Sequence, residues 1–247
     1  MQSTPPTAAP HFRRVVLKIS GESFCAKGGY GIDPDALSLI ANEIKKATQC
    51  GTQVAVVVGG GNIIRGADLA ARGQVAQATA DYMGMLGTVI NGLALKEALE
   101  SIGQPARVMS AINLTAVAES FIRARALRHL EKGRVVILAA GTGNPFFTTD
   151  TCAALRGAEL GADILLKATK VDGVYDKDPH LHSDAVRFDR LTFTEALERK
   201  LGVMDLTALS MCMQNNLPVK VFAFMTPGNI ARVISGADVG TLLTNEE

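Results

Sequence analysis

The chain has 247 residues, 47% hydrophobic and 20% charged, with 25 Lys and Arg against 24 Asp and Glu and a formal net charge of +1. This is an ordinary globular composition, long enough to bury a core without staples. Near-neutral charge and only 5% aromatic residues argue against a nucleic-acid groove, which needs a basic stripe or stacking platforms. Cys25, Cys50, Cys152 and Cys212 are far apart with no C-x-x-C pair, which argues against a disulfide scaffold or a structural zinc site.

The start, Met1 to His11, is rich in Pro, Thr and Ala and lacks a basic start and apolar run. It reads as a disordered tail over 1–12, ahead of a domain at 13–247. The first strand is expected at Arg14 to Ile19, stopping at Ser20-Gly21. A glycine-dotted segment, Ala26 to Gly31, precedes Asp33-Pro34, a helix start with Asp as cap and Pro at the first helical position. Leu37, Ile40, Ala41 and Ile44 make its apolar face, and Cys50-Gly51 ends it. Gln53 to Val58 is apolar on both faces, as in a central parallel strand, and runs into Gly59-Gly60-Gly61.

A long helix is expected from Thr79 to Ile102, a short strand at Arg107 to Met109, a helix ending at Gly133 and a strand at Val135 to Ala139. That strand empties into Gly141-Thr142-Gly143-Asn144-Pro145. Helix Thr151 to Leu160, strand Asp163 to Leu166 and an irregular stretch from Thr169 to Asp189 follow. Thr192 with Glu195 makes a capping box. Helix Thr207 to Asn215, strand Val219 to Phe224, helix Asn229 to Ser235 and strand Thr241 to Leu243 complete the chain.

The alternation predicts one α/β domain of three layers, αβα, around a mostly parallel sheet. Ligands in such sheets sit beyond the carboxyl ends of the strands, where the glycine loops after Ile19, Val58 and Ala140 all lie. Backbone N–H groups freed by glycine suit phosphate. The familiar nucleotide signatures are missing: there is no Gly-Lys pair for a Walker A loop, and Ile64 and Phe146 stand where a Rossmann fingerprint needs its third glycine. H-R-D, D-F-G, H-E-x-x-H and G-x-S-x-G are absent too.

Five pieces occur in order: Leu17-Lys18-Ile19-Ser20-Gly21-Glu22; Gly59-Gly60-Gly61-Asn62 with Arg65-Gly66; Asp81-Tyr82-Met83-Gly84-Met85; Gly141 to Asp150 (GTGNPFFTTD); and Lys167-Ala168-Thr169-Lys170-Val171-Asp172-Gly173-Val174-Tyr175. From about Arg14 to Leu243 the chain resembles the bacterial uridylate kinases of the amino-acid-kinase fold family. The resemblance implies reversible transfer of the ATP γ-phosphoryl group to UMP, giving UDP and ADP, in de novo pyrimidine nucleotide (CTP and UTP) synthesis; a start without a signal-peptide pattern, and apolar runs no longer than a strand, make a cytoplasmic protein the expectation. Magnesium would ride on the ATP phosphates, with no metal cage in the protein.

The two substrates bring about six negative charges, so a near-neutral protein must concentrate cations locally. Lys18, between Leu17 and Ile19 in a buried strand run, and Lys167, directly after a strand, are the candidate cations; the resemblance places Arg65 with them and makes Asp150 the organiser of the lysines, which completes the catalytic set. The resemblance implies ATP contacts at Lys18, Ile19, Ser20, Gly21, Gly61, Arg65, Thr169, Tyr175 and Asp178. UMP contacts are implied at Gly60, at Asp81 for the ribose, and at Thr142, Gly143, Asn144, Pro145, Phe146, Phe147, Thr148 and Thr149. It also implies a homohexamer inhibited by UTP, and a GTP-activating region at Ala26, Lys27, Gly28, Gly29, Tyr30 and Gly31 with Arg107 and Arg134. Lys96 and Glu100 depart from the arginine and histidine frequent in GTP-controlled relatives, and tryptophan is absent, so GTP activation stays an open reading. The apolar helix Asp81 to Leu95 suits either assembly or core packing. Two further readings compete: a carboxylate or carbamate kinase of the same fold, disfavoured by the PFFTTD loop, and a nucleotide storage or sensor protein without turnover, disfavoured by the presence of both Lys18 and Arg65.

Overall fold

The computed structural model describes residues 11–26, 28–71, 73, 75–224 and 226–246. Strand β1 (Arg14–Ile19) leads through a 3-10 turn (Gly21–Phe24) to helix α1 (Pro34–Gln49) and strand β2 (Gln53–Val58). Helices α2 (Gly66–Ala71) and α3 (Gln77–Ser101), strands β3 (Ala106–Ser110) and β4 (Glu119–Ser120), helix α4 (Arg123–Glu131) and strand β5 (Val135–Ala139) follow. Then come α5 (Thr149–Leu160), β6 (Ile164–Thr169) and the small hairpin β7 (Val174–Tyr175) with β8 (Arg187–Phe188). The chain closes with β9 (Arg190–Thr192), α6 (Phe193–Glu198), α7 (Leu206–Gln214), β10 (Val219–Ala223), α8 (Asn229–Ile234) and β11 (Thr241–Thr244).

Nine strands form one sheet in the order β4-β3-β5-β2-β1-β6-β10-β11-β9, parallel at every pairing except β10 with β11. Side chains alternate across the sheet, so each strand feeds two cores. Val15, Leu17, Ile19, Val56 and Leu166 pack under α1, α3 and α8, and Val16, Val57, Leu138 and Leu165 pack under α4, α5, α6 and α7. This is the expected three-layer arrangement.

Local signals in the sequence act as read. Asp33 caps α1 by accepting from the Asp35 and Ala36 amides at 2.9 Å, and the Thr192–Glu195 capping box closes in both directions. The domain starts earlier than expected: Phe12 packs on the core and its carbonyl accepts from Thr52 Oγ1 at 2.9 Å. Residues 1–10, most of the expected tail, lie outside the described residues. The four cysteines are free thiols. Burial pushes Cys152 up to about 11 and Cys212 up to about 12, so both stay protonated and inert.

Strand β6 runs to Thr169, three residues past the expected end, because both neighbours pair with it there: β1 reaches Ala168 and β10 reaches Thr169. Lys167 therefore lies within the strand rather than after it. Among the described residues no helix is long and apolar enough to cross a membrane.

Candidate active site

The register of the two central strands brings the lysines together. Lys18 of β1 is the Cα partner of Lys167 of β6, and neighbouring parallel strands in register point both side chains to one face. That face belongs to α5, whose first turn carries Asp150. Lys18 Nζ lies 2.9 Å from Asp150 Oδ1 and Lys167 Nζ lies 2.6 Å from Oδ2. All three side chains are largely removed from water. Lys167 donates a hydrogen bond to Oδ2 and another to the Val203 carbonyl. Lys18 stands as an ion pair outside hydrogen-bond alignment, which leaves Oδ1 without a hydrogen-bond donor.

Burial pushes the Asp150 carboxyl up, but Lys18 and Lys167 outweigh burial and hold it below its ordinary value. Burial is the largest influence on Lys167 too, and with the neighbouring Lys18 charge it brings that ammonium below the usual lysine range despite Asp150. One carboxylate between two ammoniums leaves the cluster net positive, as a site for a transferring phosphoryl group requires.

Asp150 is placed by a capped helix end. Thr148 Oγ1 accepts from the Asp150 and Thr151 amides, and Thr148 in turn donates to Asp205 Oδ2 at 2.5 Å. Asp205 also accepts from Thr151 Oγ1 and from the Ala208 amide, where it caps α7. It thereby ties the start of α5 to α7, a role that nothing in its sequence surroundings announces beyond a possible helix cap.

Beside the lysines, one cavity of about 160 Å³ is lined by Gly60, Gly61, Asp81, Thr142, Asn144, Phe147, Thr148 and Thr149. Seven of these belong to the expected UMP set, and Gly61 to the expected ATP set. Of the remaining UMP residues, Phe146 meets Asp81 directly: its amide donates to Asp81 Oδ2 at 2.8 Å, with a left-handed φ of 69°. Gly143 (φ 83°) turns the loop over Ala111, Pro145 stands between Asn144 and Phe146, and the Phe146 ring is 74% exposed.

The glycine loops are required by close approach. A Cβ on Gly21 would stand 2.5 Å from the Gly61 amide, and one on Gly60 would stand 2.6 Å from the Gly84 carbonyl of α3. Gly61 itself has open space where a Cβ would be. Two buried asparagines lock this loop. Asn91 Nδ2 donates to the Gly59 carbonyl at 2.7 Å and to Asn62 Oδ1 at 2.6 Å, and Asn62 Nδ2 donates to the Gly31 carbonyl at 2.7 Å. Thr88 Oγ1 accepts from the Ala140 amide at 2.7 Å, so α3 grips the third glycine loop as well. Sequence reasoning missed Asn62 and Asn91 in these roles; the signal was an asparagine inside an apolar helix, a residue that needs a partner when buried.

A second cavity, of about 510 Å³, reaches the lysine pair and is lined by Lys167, Thr169, Gly173, Tyr175, Asp178, Gly202 and Val203, among others. Thr169, Tyr175 and Asp178 come together there as expected. Their polar groups already have local partners: Thr169 Oγ1 donates to Val171 O, Tyr175 Oη donates to Asp172 Oδ1 at 2.6 Å, and Asp178 Oδ1 accepts from the His180 amide. Ile19 and Ser20 lie at the carboxyl end of β1, the Ile19 carbonyl accepting from Gly59 N at 2.9 Å, and neither lines the two cavities. Arg65 stands between Ile64 and Gly66 of the first cavity, its Nη2 3.0 Å from Glu22 Oε1, and Lys170, between Thr169 and Val171 of the second, pairs with Glu22 Oε2.

The Ala26–Gly31 segment and the two distant arginines are held by different networks. The segment is tied to Asn62 at Gly31, with Tyr30 exposed and Lys27 outside the described residues. Arg107 pairs with Glu100, which also holds Lys96, and Arg134 donates to His129, whose other ring nitrogen faces Glu119. Among the described residues no hydrogen bond or ion pair joins the two groups. No cluster of three or more His, Cys, Asp or Glu suited to a metal ion occurs among the described residues, and Asp150 is committed to two lysines.

The family model for the amino acid kinase family matches residues 13–223. The chain belongs to that family, among the uridylate kinases. Uridylate kinases of Xanthomonas campestris pv. campestris and Xanthomonas oryzae pv. oryzae are 57% and 56% identical to it over 232 residues, 94% of this chain and 96% of each relative. The crystal structure of UMP kinase from Bacillus anthracis superposes with a TM-score of 0.92 at 38% identity, covering 96% of this chain and 97% of that one. The uridylate kinase of Archaeoglobus fulgidus superposes at 0.71 with 30% identity, covering 93% and 99%. The mostly parallel sheet and its flanking helices are thus the amino acid kinase architecture.

Proposed function

We propose that this chain is a UMP kinase that transfers the γ-phosphoryl group of ATP to UMP. The observation that carries the reading is the in-register lysine pair on Asp150, flanked by a glycine-built cavity under α3 and by the larger cavity around Tyr175. UMP takes the first cavity, its ribose on Asp81 and its phosphate at Gly60 and the Thr142–Thr149 loop. ATP takes the second, with its polyphosphate reaching past Ser20, Gly21 and Gly61 to the lysines. Phosphoryl transfer needs positioning and cations more than covalent chemistry, and Lys18, Lys167 and Arg65 supply the cations. Magnesium enters on the nucleotide phosphates, and the chain adds no cage for it.

Uracil offers an N3–H donor and an O4 acceptor, and the choice of UMP over CMP rests on the likeness to uridylate kinases rather than on a single polar group. The activity would place the enzyme in cytoplasmic pyrimidine nucleotide synthesis. An exposed stripe on α3, Tyr82, Leu86 and Ile90, repeats every fourth residue and suits self-association into the homohexamer. UTP is the proposed inhibitor. GTP activation would need Ala26–Gly31 to meet Arg107 and Arg134 across an assembly interface, since within one chain they belong to separate networks.

The test is ADP release from MgATP with UMP, CMP, dUMP, AMP, aspartate, carbamate and acetylglutamate offered separately, with and without GTP and UTP. UMP-selective turnover is the expected result. Turnover on a carboxylate or carbamate, or nucleotide binding without turnover, would overturn it.

A further inference from the structure

Glu22 belongs to none of the roles given above, yet it links the chain segments of the two cavities: it pairs with Arg65, between Ile64 and Gly66 of the first, and with Lys170, between Thr169 and Val171 of the second. It sits in the 3-10 turn after β1, next to Gly21, which touches the Gly61 backbone. One carboxylate oxygen, Oε1, lies 3.0 Å from Arg65 Nη2, and the other, Oε2, accepts from Lys170 Nζ. The three side chains come from three separate segments, 43 and 148 residues apart in the chain. All three are substantially exposed, at 37%, 46% and 65%. Exposed pairs contribute little to stability, so the fold gains little by gathering them. The arrangement is that of an anion held by two cations, each on its own oxygen, as two phosphate oxygens would be. The Lys170 hydrogen bond, helped by Arg65 and opposed by burial, holds the Glu22 carboxyl below its ordinary value, so it is charged in the neutral range.

A polyphosphate that reaches Arg65, one of the cations assigned to the transfer, meets Glu22 there, and a carboxylate cannot share two cations with it without repulsion. We propose that Glu22 is the resident anion of the phosphate channel: it holds Arg65 and Lys170 in place until the polyphosphate of a nucleoside triphosphate displaces it, and Lys170 binds that polyphosphate together with Arg65. This rests on the triphosphate half of the proposed function and is independent of the acceptor.

The probe is inorganic tripolyphosphate, titrated by calorimetry into the parent protein, Glu22→Gln, Lys170→Met and the double variant, with melting curves to confirm folding. Removing a competing anion worth one exposed pair should tighten tripolyphosphate binding about two- to fivefold in Glu22→Gln. The gain should fade as ionic strength rises. Lys170→Met should weaken binding by a similar factor, and Glu22→Gln should gain less on that background. The KM for ATP should fall with the tripolyphosphate Kd, while the KM for UMP stays put. Glu22→Asp, too short to span both cations, should act in the same direction and serves if the glutamine variant fails to fold. Unchanged or weakened tripolyphosphate binding in Glu22→Gln would overturn the proposal, as would unchanged binding in Lys170→Met. Because tripolyphosphate needs no acceptor, failure of UMP as substrate would leave this result standing. UMP-selective turnover with unaltered tripolyphosphate binding would overturn the Glu22 assignment alone.

Discussion

On the Asp81 side of the lysine pair the cavity wall is rich in glycine backbone held by buried groups on α3, whereas on the Tyr175 side exposed charged side chains, Asp176, Asp178, Arg199 and Lys200, stand among buried Val174, Val203 and Val221. Gly60 touches α3 where no Cβ fits, and Thr88 and Asn91 bond the glycine loops from beneath. Across the lysines, Tyr175, Asp172 and Arg187 form a solvated chain on the β7–β8 hairpin. A wall of fixed backbone discriminates among ligands by shape, and a wall of mobile charged side chains grips a shared polyphosphate with less discrimination. The acceptor side should therefore break sharply on substitution and the donor side should yield gradually.

The largest effect should come from the cations assigned to the transfer. Arg65→Ala removes a cation whose charge matters most as the phosphoryl group moves, and arginines in that position contribute on the order of 10³-fold to turnover. Steady-state kinetics should show kcat falling far more than ATP binding weakens. Turnover within about threefold of the parent would take Arg65 out of the mechanism.

Next is a glycine pair that isolates the acceptor wall. Gly60→Ala drives a Cβ to within 2.6 Å of the Gly84 carbonyl and 2.9 Å of the Thr88 amide, both backbone atoms that cannot step aside. Overpacking of this kind costs about 1–3 kcal/mol, visible as a lowered Tm, and it should raise the KM for UMP. Gly61→Ala meets nothing within 4 Å, so its melting curve should match the parent while nucleotide binding weakens. Equal melting curves for both variants would refute the backbone-contact account.

Asp81→Asn should raise the KM for UMP about tenfold and spare ATP, because a charged acceptor is lost on one side only. The Asp81 contact with the Phe146 amide makes this variant loosen the loop as well. Unaltered UMP binding by calorimetry would show that the ribose contact is misassigned.

The strands were legible almost to the residue where β-branched runs end in glycine: β1, β2 and β5 match their expected bounds. The central geometry was less so. Lys-Ala-Thr-Lys reads as polar loop, and only the pairing of β6 with β1 and β10 keeps Lys167 in the sheet beside Lys18. Helix α5 starts two residues earlier than expected because Thr148, one of several Thr and Asp that could cap, is the one Asp205 holds. Helix α2, strand β4 and the β7–β8 hairpin are too short to produce a period. The catalytic residue types came through family likeness. Glu22, Lys170 and Asp205 act through contacts distant in sequence, while Asn91 inside an apolar helix signalled only that it needs a partner.

The lysine pair is shared by both sides, and its titration tests whether it acts as one unit. Lys167 is depressed by burial, so turnover should fall on an alkaline limb below the ordinary lysine range, and Lys167→Arg should remove that limb while keeping some activity. A depressed lysine binds protons more readily when unfolded, so its contribution to stability rises with pH. Asp150 is depressed as well: its stabilisation is present above the ordinary carboxylate value and is lost as pH falls through its native one. Both groups therefore make the fold more stable as pH rises, even where activity declines. Parallel loss of Tm and turnover on the alkaline side would separate activity from the Lys167 proton.

The smallest effect belongs to the donor wall. Tyr175→Phe deletes a hydroxyl that donates to Asp172 at 2.6 Å, and Asp172 keeps its ion pair with Arg187 at 3.1 Å. The ring that faces the cavity is preserved, and the lost hydrogen bond is solvated on both partners. The KM for ATP should change by less than about threefold and the KM for UMP not at all. A tenfold rise in the KM for ATP would mean that the hydroxyl leaves Asp172 for the nucleotide, and that the donor wall reads its ligand as closely as the acceptor wall does.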